Sequence, residues 1–181
     1  MILVVADTTP LNYLILIECE EVLAKLFTRV LIPPAVLREL QDSGTPEVVR
    51  QWTEKLPAWM EVRPPQNQSA GALPASLGAG EREAIALGAE LHADLLLVDD
   101  REARVEAGRH GLRILGTLGL LERAAELGLV SLPETIERLR GTTFRIARPL
   151  VEDALRRDAE RRQRQLTQEE RSPGEDRGGA A

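Results

Sequence analysis

The chain has 181 residues, a formal charge of −6, one cysteine, 43% apolar residues and only 3% aromatics. That length supports one ordinary domain with its own core. The lone cysteine excludes an internal disulfide and a zinc site built on cysteines, and the scarcity of rings argues against an aromatic-stacking nucleic-acid platform. An acidic chain also lacks the overall field that draws nucleic acid, so phosphate contact needs either a local basic patch or bound metal.

Ile2 to Ala6 is a short apolar run closed by Asp7, which predicts a buried parallel strand. It is too short to span a bilayer and has no basic start, so neither export signal nor membrane anchor is expected. With Cys19 unpaired, the setting implied is reducing and cytoplasmic. Thr8-Thr9-Pro10 opens a helix, with a hydroxyl cap and proline in the first turn. Leu11, Leu14, Ile15 and Ile17, then Val22, Leu23, Leu26 and Phe27, give helical spacing over two helices broken around Cys19-Glu20.

Arg29 to Ile32 reads as a second strand. Pro33-Pro34 ends it and starts a helix whose Val36, Leu37 and Leu40 face the core while Glu39 projects elsewhere. A helix over Pro46 to Lys55 and a short edge strand over Trp59 to Val62 follow. Pro64 to Gly80, rich in Pro, Gly, Ser, Ala and Asn, is a loop suited to act as a lid. Gly80 introduces a helix with Glu81 and Glu83 near its start, where the helix dipole favours acids. Asp94 to Val98 is the clearest strand; it ends in Asp99-Asp100 and leads into a charged helix reaching about Arg109.

Leu112 to Leu115 predicts another strand, Gly116 to Gly128 a helix and Pro133 to Arg140 one more. The alternation of strand and helix predicts an α/β chain with a central parallel sheet between two helical layers. From Leu150 the pattern becomes a charged helix and then a polar tail, expected to be disordered beyond about Gln165. The division is therefore a domain over 1–148 and a charged helix with tail over 149–181. Eight acidic against seven basic residues leave the stretch 150–181 almost neutral, so the acidic excess belongs to the domain.

In such sheets functional groups gather at the carboxyl ends of the strands. Asp7 closes the first strand and Asp99-Asp100 the fourth, while Glu39 and Glu81 sit on helices able to aim at the same crevice. Singly, each has a plainer reading: Asp7 and Asp99 as caps or turn formers, Glu81 as a dipole complement, Glu39 as a surface charge. Together, four carboxylates are tolerated in one crevice only with protons or cations among them. A hard divalent ion with oxygen ligands meets that need and activates water for attack on phosphorus. No Gly-rich phosphate loop follows the first strand, which counts against a nucleotide cofactor.

Four stretches, Val4-Val5-Ala6-Asp7-Thr8-Thr9-Pro10-Leu11, Ile32-Pro33-Pro34-Ala35-Val36-Leu37-Arg38-Glu39-Leu40, Gly80-Glu81-Arg82-Glu83-Ala84-Ile85-Ala86-Leu87 and Leu96-Leu97-Val98-Asp99-Asp100-Arg101-Glu102-Ala103-Arg104, carry a family likeness. Gly116-Thr117-Leu118-Gly119-Leu120-Leu121 extends it. Over about Ile2 to Arg145 the chain resembles the PIN-domain family, in the PIN-like branch of DUF3368 type close to VapC-type toxin ribonucleases. The resemblance implies a three-layer α/β/α fold and a ribonuclease dependent on Mg²⁺ or Mn²⁺. It also implies a homodimer neutralised by a small antitoxin protein.

On that likeness the catalytic and metal residues are Asp7, Glu39, Glu81 and Asp99, with Asp100 sharing the role of Asp99 and Glu83 an alternative to Glu81. Thr8 and Thr117 stand at the hydroxyl positions that support such a site. The third acidic position carries Glu where many family members have Asp, and the longer arm shifts a metal or leaves one ion held tightly. Arg101 and Arg104 are the candidates for contact with RNA, although Glu102 and Glu106 on the same helix suggest pairing on a solvated face.

His92 and His110 read as helix-end or surface residues, because no third ligand completes a zinc set. Trp52 and Trp59 read as packing anchors or dimer contacts. Two other classes compete. One is a catalytically weak PIN-like protein that binds RNA or a partner. The other is a phosphotransfer α/β domain, which is disfavoured because Asp7-Thr8-Thr9 lacks the second Asp of such phosphatases and neither Lys25 nor Lys55 sits at a late strand end.

Overall fold

Val4 and Ala6 join the apolar cluster on one side of the sheet while Val5 joins the cluster on the other, and all three are fully buried. The same alternation places Val30 and Ile32 opposite Leu31, and Leu97 opposite Leu96 and Val98. A strand buried on both faces needs apolar residues at every position, which is why these runs lack the polar alternation of a solvated sheet.

The fold is a computed structural model that describes residues 2–66 and 73–171. Its strands are β1 (Leu3–Ala6), β2 (Arg29–Ile32), β3 (Met60–Val62), β4 (Leu95–Leu97) and β5 (Ile114–Leu115). They form a five-stranded sheet in the order β3-β2-β1-β4-β5, every neighbouring pair parallel. The register sets Val5 opposite Leu31 on one side and Leu96 on the other.

Helices cover both faces: α1 (Thr8–Leu16), α2 (Glu21–Leu26), α3 (Pro34–Leu40), α4 (Glu47–Thr53), α5 (Ala79–Glu90), α6 (Arg101–Arg109), α7 (Thr117–Glu126), α8 (Leu132–Arg140) and α9 (Arg148–Arg171). Leu11 and Leu14 of α1, Leu120 and Ala124 of α7 and Ile136 of α8 fill one face. Ala84, Ile85 and Leu87 of α5 with Ala103 and Ala107 of α6 fill the other. This is the expected three-layer α/β/α architecture.

Several boundaries differ from expectation. The last strand is only two residues long, because α6 ends in a left-handed turn at Gly111 (φ 74°) that uses Leu112 to close the helix through its N–H to the Ala107 carbonyl, 3.1 Å away. The lid expected over Pro64 to Gly80 includes residues 67–72, which lie outside the described residues; beyond them Leu73 and Leu77 are buried against the α5–α6 layer. The tail differs too. α9 continues as helix through 166–171, where disorder is expected, and residues 172–181 lie outside the described residues.

Val151, Ala154 and Asp158 of α9 are buried, the two apolar residues packing into the core beside α7 and α8. Arg157 reaches across to Glu122 on α7 with two bonds of 3.0 and 2.7 Å. Among the described residues no helix is long and apolar enough to cross a membrane.

Candidate metal centre

Strand order runs outward in both directions from β1, so the topological switch point lies between β1 and β4, and a crevice opens there beyond their carboxyl ends. Asp7 is the residue after β1 and the N-cap of α1. Its N–H donates to the Leu97 carbonyl on β4 at 2.9 Å, which locks its backbone to the sheet. The side chain is 2% exposed, and Oδ1 has no hydrogen-bond partner. Burial, followed by the charges of Glu81 and Glu39, outweighs the Thr8 and Thr9 amides and pushes its pKa up to about 7.

Glu39 comes from the last turn of α3. Its Oε2 accepts the Thr8 hydroxyl and its Oε1 accepts the Gly80 N–H at 2.8 Å. A methyl group at position 80 would sit 2.5 Å from Glu39 Oε2, so only glycine lets the start of α5 approach this carboxylate. Glu81 follows one residue later, its Oε2 accepting the Gly78 N–H at 2.8 Å in the reciprocal half of a capping box. Burial raises its pKa most, and the charges of Asp100, Glu39 and Glu102 add to that rise.

Asp99 stands apart. Its Oδ1 accepts the Thr117 N–H at 2.8 Å and its Oδ2 the Thr117 hydroxyl at 2.6 Å. Burial raises its pKa, against the Thr117 hydrogen bonds and the nearby Arg104 guanidinium. At Gly116 a methyl group would meet Asp99 Oδ1 at 2.9 Å and Arg104 at 3.0 Å. Asp100 is exposed and caps α6 by accepting the Ala103 N–H at 2.9 Å.

The structure thus sets the charges of Glu39 and Glu81 to act on Asp7, adds Asp100 through Glu81, and holds Asp99, after the neighbouring strand, on Thr117 beside Arg104. Thr8 and Thr117 each hydrogen-bond one of these carboxylates. Among the described residues, no three acidic, histidine or cysteine side chains are gathered tightly enough to hold an ion as they stand.

A family model for the PIN domain matches residues 3–160. The chain belongs to the PIN-domain family. No curated protein matches it. PIN domains are generally nucleases, typically working with divalent metal, so this chain is of nuclease type at that coarse level. The residues fit such an ion in chemistry: the donors are all carboxylate oxygens, and the buried Oδ1 of Asp7 lacks the partner that any buried oxygen requires.

Glu83, weighed as an alternative to Glu81, is engaged by α3. Its Oε2 accepts the Ala35 N–H at 2.8 Å and its Oε1 lies 3.4 Å from Arg38, so it holds the first turn of α3. Arg101 is exposed beside Pro74 and Val105 on the outer side of α6, while Arg104 alone of the pair lies beside Asp99. His92 and His110 both serve helix ends, His92 in the left-handed conformation (φ 48°) that closes α5. The glycines at 80 and 116, which admit the two carboxylates, stand out in sequence only by preceding Glu81 and Thr117.

Proposed function

We propose that this chain is a metal-dependent endoribonuclease of the PIN type, the toxin half of a toxin–antitoxin pair. The observation that carries the reading is the unpartnered Oδ1 of Asp7, buried where Glu39 and Glu81 add negative charge. An unneutralised carboxylate in that position costs several kcal/mol in order of magnitude, and a cation among Asp7, Glu39, Glu81 and Asp99 removes the cost. Mg²⁺ or Mn²⁺ bound there would supply water of lowered pKa and charge stabilisation at phosphorus.

The chain's own residues do the rest. Thr8 and the Gly80 amide fix both oxygens of Glu39, Thr117 fixes both of Asp99, and the sheet fixes Asp7, so three acidic groups are oriented before substrate arrives. Arg104, next to Asp99, faces the negative charge of a phosphodiester. The pairing with a small antitoxin and the homodimer are supported by the likeness of the motifs to VapC-type toxins.

A fluorescent RNA incubated with Mg²⁺, Mn²⁺ or a chelator tests the reading. Cleavage is expected only with metal, and Asp7→Asn should abolish it; cleavage that survives either change defeats the proposal. Arrest of growth on expression, relieved by Asp7→Asn, tests the toxin role. A second reading, a catalytically weak protein that binds RNA or a partner, is favoured by one observation: the carboxylates are not gathered to ion-binding distance among the described residues. Calorimetric titration with Mn²⁺ separates the two, because the weak form takes up no site-dependent metal.

A further inference from the structure

Beside Asp99 lies a cleft of about 400 Å³ whose lining includes none of Asp7, Glu39 and Glu81. Its floor is Gly116 and Gly119 at the start of α7, and its walls include Arg104, Phe144 and Arg145. The volume falls in the range of small-ligand sites. Of the other charges lining it, Glu122 is bound by Arg157 at 2.7 Å and Asp153 by Arg156 at 2.7 Å. Asp99 is held by Thr117. Arg104 lies near Asp99 without an ion pair, and the Arg145 side chain has no hydrogen bond or ion pair among the described residues. Two guanidinium groups with open donors therefore face a cleft whose acids are already engaged, which suits an anion with several oxygens.

Phe144 gives the cleft an apolar side. Tyr13 holds its ring edge-on, with centroids 4.7 Å apart at 67°, and Tyr13 in turn bonds Thr143 at 3.1 Å. A ring fixed in this way offers a surface for a base without the entropy cost of ordering it on binding. Asp99, one of the four candidate metal residues, lines the cleft and so sets it beside the metal centre.

We infer that this cleft is the subsite for one nucleotide flanking the scissile phosphate of the RNA, its phosphate on Arg104 and Arg145 and its base against Phe144. The assignment rests on the nuclease reading for its place on the substrate, but binding of a nucleotide is measurable without cleavage. Titration of the full chain in chelator with adenosine 5′-monophosphate, inorganic phosphate and adenosine probes it. The monophosphate should bind at least about tenfold more tightly than either fragment, and Arg145→Ala should weaken it about tenfold, the value of one charged hydrogen bond. Arg145→Lys should recover part of that loss, and Asp7→Asn should bind the nucleotide as the parent does.

On a short RNA, Arg145→Ala should raise KM by a similar factor with kcat little changed. Equal binding of phosphate and monophosphate, or unchanged binding by Arg145→Ala, overturns the subsite. Weaker nucleotide binding with an unchanged KM also overturns it, since the cleft then takes free nucleotides rather than RNA. A chain that binds nucleotide through Arg145 yet cuts no RNA refutes the nuclease reading and leaves the cleft's ligand class standing.

Discussion

Two aspartates stand at neighbouring strand ends, Asp7 buried and Asp99 half-buried, and their surroundings differ in kind. Asp99 is balanced: both oxygens are taken by Thr117, and Arg104 supplies positive charge nearby. Asp7 is unbalanced: one oxygen is orphaned, and its charged neighbours are glutamates. Burial raises the pKa of both, but only Asp7 is left needing something the described residues do not provide. Similar sequence positions thus yield one carboxylate that is structurally satisfied and one poised for an ion.

The largest expected effect breaks the comparison at Asp7. Asp7→Asn should lower RNA cleavage by about a thousandfold or more, equal to about 4 kcal/mol of barrier, while raising metal-free stability at pH 8 by about 1–3 kcal/mol, because it deletes a buried charge. Denaturant titration and a cleavage assay on the same preparation read both changes.

The second effect is linkage. An acid whose pKa rises from 3.8 unfolded to about 7 folded binds more protons in the native state, so its stabilisation is full below pH 3.8 and is lost as pH climbs through 7. Metal-free protein should therefore lose stability in thermal melts between pH 5 and 8 by a few kcal/mol in order of magnitude. Asp7→Asn should flatten that slope, and Mn²⁺ at pH 8 should raise the melting temperature of the parent but not of the variant.

Third, Asp99→Asn should act in the opposite direction to Asp7→Asn. It loses one acceptor for Thr117 and the negative charge near Arg104, and chemical denaturation should show a cost of about 1–3 kcal/mol. The smallest effect is at Glu83→Ala, which uncaps α3 and should cost about 1 kcal/mol. Mn²⁺ affinity, measured by calorimetry, should fall modestly as the first turn of α3, the helix that carries Glu39, loses its bond to α5; unchanged affinity would show that α3 needs no help from Glu83.

Much of this was legible in the sequence because burial on both faces of a parallel sheet leaves a plain mark: Val4-Val5-Ala6 and Leu96-Leu97-Val98 are unbroken apolar runs, each followed by an acid. What was not legible is direction around a helix axis. Glu81 and Glu83 are two residues apart on α5 and so face different ways, and only the packed position of α3 brings Glu83 onto the Ala35 N–H while Glu81 turns back to Gly78. The stretch 142–147 has no periodicity to announce it, yet it supplies a wall of the cleft beside Asp99.

The long last helix is half anchored and half free. Its early turns are wedged beside α7 and pinned to Glu122, while residues 159–168 stand largely in solvent. Mechanically that makes a lever: a tug on the free turns is delivered to α7, and the first residue of α7 is Thr117, whose hydroxyl and amide grip Asp99. Whatever seizes the outer turns of α9 thereby acts, through Arg157 and Glu122, on the helix whose first residue holds Asp99.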